Sequence, residues 1–286
     1  MKTFFRRLFS TVILLALFAL ILVGPEKYAN FTFNILAPVF AVISVFEFGM
    51  ILKKSGNAFN LKSTMLFTTL TVISAAVLTA KFVLVFTLFF VIYTWTRFLV
   101  SKNDPFKMRA IFASAAAYFM ISIPFCTIVK VYQMNDSYNM IFLYLLLVTK
   151  IGDIAAYVTG SLSGYFLRNH GGNHKMIPSI SPGKSYEGAV GGFIFTLLLS
   201  YFLWPFCGIE CTVFDPFWAS MILGVLLFFG CMAGDLSESA FKRTCKIKDS
   251  GAILPGIGGM LDLVDSLMVT GPLFFLFLLI FTDFKI

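Results

Sequence analysis

Three aspartates near the end of the chain, Asp235, Asp262 and Asp265, are the hard oxygen donors that a Mg²⁺ ion takes, completing its shell with water and phosphate oxygens. Asp262 and Asp265 stand three residues apart, a spacing that predicts one shared helical face just after the Gly256-Ile257-Gly258-Gly259 turn. Helix capping explains an aspartate in a first turn. It does not explain a second one a turn deeper, where a lone carboxylate costs about 2.5–3.5 kcal/mol at a bilayer centre and less toward its edge. Asp235, with Glu238 one turn on, closes the preceding apolar segment, and Lys242, Arg243, Lys246 and Lys248 follow. Alone, these cations are the basic flank of a membrane span. Between two groups of carboxylates, at least one or two of them are expected to hold phosphate. Carboxylates repel a triphosphate, and a divalent metal removes that conflict, so the chemistry indicated is that of an anionic, phosphate-bearing substrate with a metal.

Upstream, Lys175 to Gly188 reads KMIPSISPGKSYEG, a polar loop offering hydroxyls, Lys184 and backbone N–H groups at a helix start, which suits phosphate. Gly183-Lys184-Ser185 imitates the end of a P-loop, but Pro178 stands where the earlier Gly is required. Ser181, Lys184, Ser185, Lys248, Asp249 and Asp153 are the expected substrate-binding residues; Asp235, Asp262, Asp265, Lys242 and Arg243 the catalytic ones. Asp153 with Lys150 one turn earlier reads equally as a self-neutralising intramembrane pair. Glu47 has no evident local partner. His170 and His174 flank two glycines and do not form a helical zinc pair. The five cysteines lack metal-type spacing and read as apolar filler, with a Cys207–Cys211 pair left open. Gly160-Ser161-Leu162-Ser163-Gly164 has Leu at its centre, so the serine-hydrolase elbow is absent.

The elements that must position these groups are membrane helices. Of 286 residues 59% are hydrophobic and 13% charged, too apolar for a soluble core with a polar shell. Runs long enough to span a bilayer lie near 8–24, 32–52, 63–80, 82–100, 110–132, 138–160, 187–206, 217–235 and 262–282. They are continuous rather than alternating, which excludes a barrel. An all-α integral membrane protein of about nine transmembrane helices is expected. With the N-terminus cytoplasmic and the C-terminus outside, 17 of the 22 Lys and Arg fall on the inner side, 4 on the outer side, and Lys150 within a span. This distribution explains the net charge of +8 without nucleic acid. Residues 1–24 resemble a secretory signal but lack a small-residue cleavage site, so a retained first span is expected. No linker or internal repeat appears, which predicts a single polytopic membrane domain over 1–286, with N-terminal spans in 1–135 and the catalytic site carried by 136–286.

The stretch from Ser239 to Asp265 resembles the signature of the phosphatidate cytidylyltransferases (CDP-diacylglycerol synthases), S-x-x-K-R-x4-K-D-x-G-x2-L-P-G-H-G-G-x-x-D-R-x-D. Matching positions include Ser239, Lys242, Arg243, Lys248, Asp249, Gly251, Pro255, Gly259, Asp262 and Asp265. Gly234-Asp235-Leu236-x-Glu238-Ser239 is similar to the family's G-D-L-x-E-S, residues 180–188 to its I-S-P-K-K-T-W-E-G, and Asp153-x-x-Ala156-Tyr157-x-x-Gly160 to its D-x-x-A-Y-x-x-G. Ile257, Leu263 and Gly183 stand where the family carries His, Arg and Lys. The resemblance covers roughly 145–285. It implies a nucleotidyltransferase of phospholipid biosynthesis that makes CDP-diacylglycerol and pyrophosphate from CTP and phosphatidic acid. It also implies Mg²⁺, with a second ion left open, on Asp235, Asp262 and Asp265. The expected setting is a bacterial cytoplasmic (inner) membrane with the site facing the cytoplasm. No nucleic acid partner is expected, and a homodimer is left open. A secondary transporter of an anionic solute and a CTP-dependent lipid kinase are the alternatives.

Overall fold

The computed structural model describes residues 16–22, 24–101, 104–134, 139–166, 172–247, 251 and 258–283. The helices, in chain order, are α1 (Glu26–Lys54), α2 (Leu61–Val77), α3 (Ala80–Val100), α4 (Pro105–Gln133), α5 (Met140–Phe166), α6 (Tyr186–Leu203), α7 (Pro216–Thr244), α8 (Met260–Val264) and α9 (Leu267–Phe281). The sheet among the described residues is one antiparallel hairpin, β1 (Lys175–Ile177) with β2 (Ser181–Ser185). Seven helices are long and apolar enough to cross a membrane: α1, α3, α4, α5, α7, α6 with the turn that extends it to Phe206, and α8 with α9 as Met260–Phe281. This is a multi-pass membrane protein. Of the nine expected spans, the 63–80 segment is the 17-residue α2, shorter than the roughly 20 residues a span needs. The 8–24 segment lies mostly outside the described residues. Several helices also run past the apolar segments that announced them. The 29 residues of α7 give about 43 Å of helix, more than the ~30 Å hydrocarbon thickness, so its last turns, with Glu238, Lys242 and Arg243, extend beyond the apolar stretch.

The chain forms two compact units, residues 1–133 with 244–264, and residues 134–243 with 265–285. In the first, Pro124 shapes α4. Proline has no N–H, and its ring collides with the carbonyl four residues earlier. The preceding residues Tyr118–Ser122 form a π-turn. Tyr118 and Ser122 thereby point inward, where the Tyr118 hydroxyl meets Thr71 at 2.7 Å and Thr87 at 3.1 Å. Ser122 meets Thr68 at 2.7 Å. Tyr118, Thr68, Thr71 and Ser122 are fully buried, and Phe90 stacks on Tyr118 with ring centroids 4.0 Å apart. Hydroxyl pairs of this kind join helices in an apolar medium, each contributing about 0.6 kcal/mol. Phe90 is the one buried residue of α3; Leu84, Leu88 and Trp95 face outward, as lipid contact requires.

In the second unit α5 is the hub. The Tyr144 hydroxyl bonds Ser200 of α6 at 2.5 Å, Ser200 donates to the Ser220 carbonyl of α7 at 2.6 Å, and the Tyr144 ring stacks on Phe274 of α9. Toward the other end, Gly152, Ala156 and Gly160 of α5 meet Gly188 and Gly192 of α6, a stripe of small residues that lets two backbones touch. Cys207 and Cys211, in the segment after α6, are both free thiols. Burial pushes the Cys207 thiol up to about 12, which fits an inert packing role.

A Cβ at Gly188 would fall 2.6 Å from the Ala156 carbonyl oxygen, whereas nothing lies within 4 Å of the corresponding position at Gly183. Gly188→Val is therefore expected to destabilise the detergent-solubilised protein by about 1–3 kcal/mol. Gly183→Val leaves thermal unfolding, followed by circular dichroism, near that of the wild type.

Candidate active site

A cavity of about 500 Å³ opens in the second unit among α5, the hairpin, α6 and α7. The hairpin forms one wall. Its register pairs Lys175 with Ser185 and Ile177 with Ser181, and the Tyr186 amide donates to the His174 carbonyl to close its base. The loop expected from sequence is thus a short two-stranded element fixed onto a helix start. Ser185 is the N-cap of α6, its Oγ accepting from the Gly188 N–H at 3.2 Å. The side chain of Asn173 ties the same corner to α5 by donating to the Gly160 carbonyl at 2.5 Å. His174 Nδ1 lies 2.7 Å from Glu187 Oε1, so this histidine serves the hairpin, in keeping with the loop role read from sequence. Ser181, Lys184, Lys175 and Ser161 line the cavity from these elements and from α5.

The opposite wall is acidic. Ligand atoms of Asp153 on α5 and of Cys231 and Asp235 on α7 all lie within 4.8 Å of one another. Asp265 stands near enough to Asp235 for the two carboxyls to interact. Gly234 makes this approach feasible: a Cβ there would lie 2.5 Å from the Asp265 carbonyl oxygen and 2.8 Å from Ser266 Cα. Two lysines offset the charge. Lys184 Nζ is 3.3 Å from Asp235 Oδ2; Lys150 Nζ is 3.8 Å from Asp153 Oδ2 and donates to Ser266 Oγ at 2.8 Å. Cys231, 3% exposed, donates from Sγ to Asp153 Oδ1 at 3.0 Å. As a soft, protonated thiol it orients a carboxylate rather than joining a set of oxygen donors. Carboxylates from α5, from α7 and from the turn before α9 can supply the one or two that Mg²⁺ takes, its other positions going to water and phosphate.

Of the residues expected from sequence, Asp153, Asp235, Ser181, Lys184 and Ser185 line this cavity, and Asp265 sits beside Asp235. Asp153 makes the expected ion pair with Lys150 and also lines the cavity. Asp262 belongs to the first unit, where its Oδ2 accepts from the Gly259 N–H at 2.9 Å. The helical i, i+3 spacing of Asp262 and Asp265 does not hold. Regular helix stops at Val264, and the Asp265 carboxylate accepts from the next amide, Ser266 N–H, at 2.6 Å, which stabilises a turn between α8 and α9. Lys242 and Arg243 lie on the last turn of α7 and are not among the residues lining the cavity. Lys242 pairs with Glu238 at 2.8 Å, and Arg243 donates to the Ile180 carbonyl of the hairpin turn at 3.4 Å. Lys248 and Asp249 lie outside the described residues. Cys231, Lys175 and Asn173 were missed. The first had a signal, since it stands one helical turn before Asp235.

The cytidylyltransferase family matches over residues 5–281. A phosphatidate cytidylyltransferase of Staphylococcus saprophyticus is 36% identical over 160 residues, 55% of this chain and 57% of that protein. A phosphatidate cytidylyltransferase of Haemophilus influenzae is 35% identical over 142 residues, 49% of this chain and 46% of that one. An uncharacterized Escherichia coli K12 protein, YnbB, is 33% identical over 171 residues, 60% and 51% of the two chains. The chain spans about half the length of these relatives. With a family match over nearly its whole length, the chain belongs to the cytidylyltransferase family.

Proposed function

We propose that this protein is a phosphatidate cytidylyltransferase, joining CTP and phosphatidic acid to give CDP-diacylglycerol and pyrophosphate. The observation that carries this reading is the facing of Asp153, Asp235 and Asp265 by the Lys184 hairpin within one unit. Such a site offers oxygen donors for a divalent metal on one side and an ammonium with hydroxyls for phosphates on the other. A phosphate oxygen of the lipid attacks the α-phosphorus of CTP and forms the new P–O bond. The bond from that phosphorus to the β-phosphate oxygen breaks, and the electron pair leaves with pyrophosphate. The lipid phosphate is ionised at neutral pH, so no strong general base is required.

Asp153, Asp235 and Asp265 would hold Mg²⁺, which supplies charge neutralisation to the polyphosphate. Lys184, now 3.3 Å from Asp235, is within reach of a phosphate oxygen held beside that carboxylate. Ser181 and Lys175 extend the phosphate-holding wall, while Ser185 acts by fixing the start of α6. For Asp262, in the first unit, the proposed metal-ligand role rests on its signature position alone. The distribution of Lys and Arg supports a site facing the cytoplasm, where CTP is found, in a bacterial inner membrane. Family membership does not favour the transporter or the lipid kinase.

Purified full-length protein in mixed micelles with labelled CTP, phosphatidic acid and Mg²⁺ is expected to release CDP-diacylglycerol and pyrophosphate in equal amounts. Turnover that ignores the lipid, or none at all, overturns the proposal. Asp235→Asn and Asp265→Asn are each expected to lower kcat by on the order of 10²–10³, the scale of losing one group that stabilises transition-state charge. Full activity in both excludes the carboxylate cluster from the reaction. Lys184→Ala is expected to cost about 1.5–3 kcal/mol of nucleotide interaction, the worth of a hydrogen bond to a charged group. Steady-state kinetics should show this mainly as a higher KM for CTP, with the KM for phosphatidic acid unchanged.

A further inference from the structure

Glu47 is the acidic residue of the first unit whose burial the reading above leaves without a use. It sits inside α1, is 2% exposed, and has no charged partner within that helix. Its Oε2 accepts from the Leu261 N–H at 2.9 Å, with the Met260 amide beside it. These are two of the first amides of α8, the short helix that carries Asp262, and helix-start amides have no partner within their own helix. The second oxygen, Oε1, has no hydrogen-bond partner among the described residues and faces Gly251, where a Cβ would collide with it. One carboxylate therefore meets both Gly251 and the start of α8. The acceptor for Leu261 comes from a side chain 214 residues away in sequence.

A packing role alone would be met by an apolar residue of similar volume, since a buried acceptor with one oxygen unpaired is a poor core filler. A contact made through helix-start amides fixes where α8 begins, and with it the direction of Asp262 one residue on. Side chains that orient metal ligands without touching the metal are worth 10–100-fold in metal affinity or activity.

We infer that Glu47 is a positioning residue for Asp262: from within α1 its carboxylate holds the start of α8 and leaves Gly251 as the one residue type that fits beside it. This rests on the proposed ligand role of Asp262. The test compares Glu47→Ala with Glu47→Gln in full-length protein, because Gln keeps an acceptor oxygen of the same reach and Ala does not. Hydrogen exchange of the Leu261 amide is expected to speed up by about 10-fold or more in Glu47→Ala and to stay near wild type in Glu47→Gln, while amides of α5 are unchanged in both. In the same preparations, the Mg²⁺ concentration for half-maximal turnover should rise about 10–100-fold in Glu47→Ala and return toward wild type in Glu47→Gln, with the KM for phosphatidic acid unmoved. Unchanged exchange at Leu261 in Glu47→Ala, or equal impairment of the two variants, overturns the inference. The exchange measurement needs no turnover, so an inactive wild-type protein counts against the cytidylyltransferase reading and not against the contact.

Discussion

Like charges held close together in an apolar surround are the constraint on which the second unit depends. Two carboxylates about 5 Å apart repel by about 3 kcal/mol at an effective dielectric of 20; Asp153 and Asp235 lie within 4.8 Å of one another, and Asp265 adds its charge near Asp235. A fold that keeps them must supply positive charge and bring backbones unusually near. Lys150 and Lys184 provide the first, from α5 and from the hairpin. Gly234 and the small-residue stripe of α5 and α6 provide the second. The cavity is a consequence of that arrangement. It has an acidic wall that favours a cation and a basic, hydroxyl-rich wall that favours phosphate, a combination suited to a metal–nucleotide complex.

The hairpin gives this division its rigidity. A free loop bearing Lys184 would lose side-chain and backbone freedom on meeting a phosphate. Here β1 pairs with β2, Ser185 caps α6, Asn173 anchors to Gly160, and His174 holds Glu187. Much of that ordering is therefore complete in the folded protein. The residues that do this act through structural contacts, which is why Ser185 reads as substrate-binding from its motif and as a helix cap from its geometry.

Much of the architecture was legible in the sequence because its signals are local. Long apolar runs announce spans, and the positions of seven of them agree with helices of the structure within their polar extensions. The cavity residues Asp153, Asp235, Ser181 and Lys184 were found because short motifs carry them. What stayed hidden depends on chain segments far apart. Glu47 had no visible partner because its partner, Leu261, is 214 residues away. Cys231 read as filler because its role comes from Asp153 on another helix. Helical spacing misjudged Asp262 and Asp265 because Asp265 bonds its neighbouring amide and interrupts the helix, something periodicity does not register. Lys242, expected at phosphate, is held by Glu238 one turn away, a local pair that the motif match overshadowed.

The central claim is that the carboxylates of the second unit hold a divalent metal together with the nucleotide. Mn²⁺ in place of Mg²⁺ makes this directly visible by electron paramagnetic resonance. Titration of the full-length protein with Mn²⁺ and CTP should give a saturable bound signal with phosphorus hyperfine coupling. Asp235→Asn combined with Asp265→Asn should weaken Mn²⁺ binding by at least about 10-fold, the effect of 1.4 kcal/mol. Mn²⁺ bound with wild-type affinity and the same phosphorus coupling in that double variant would contradict the account.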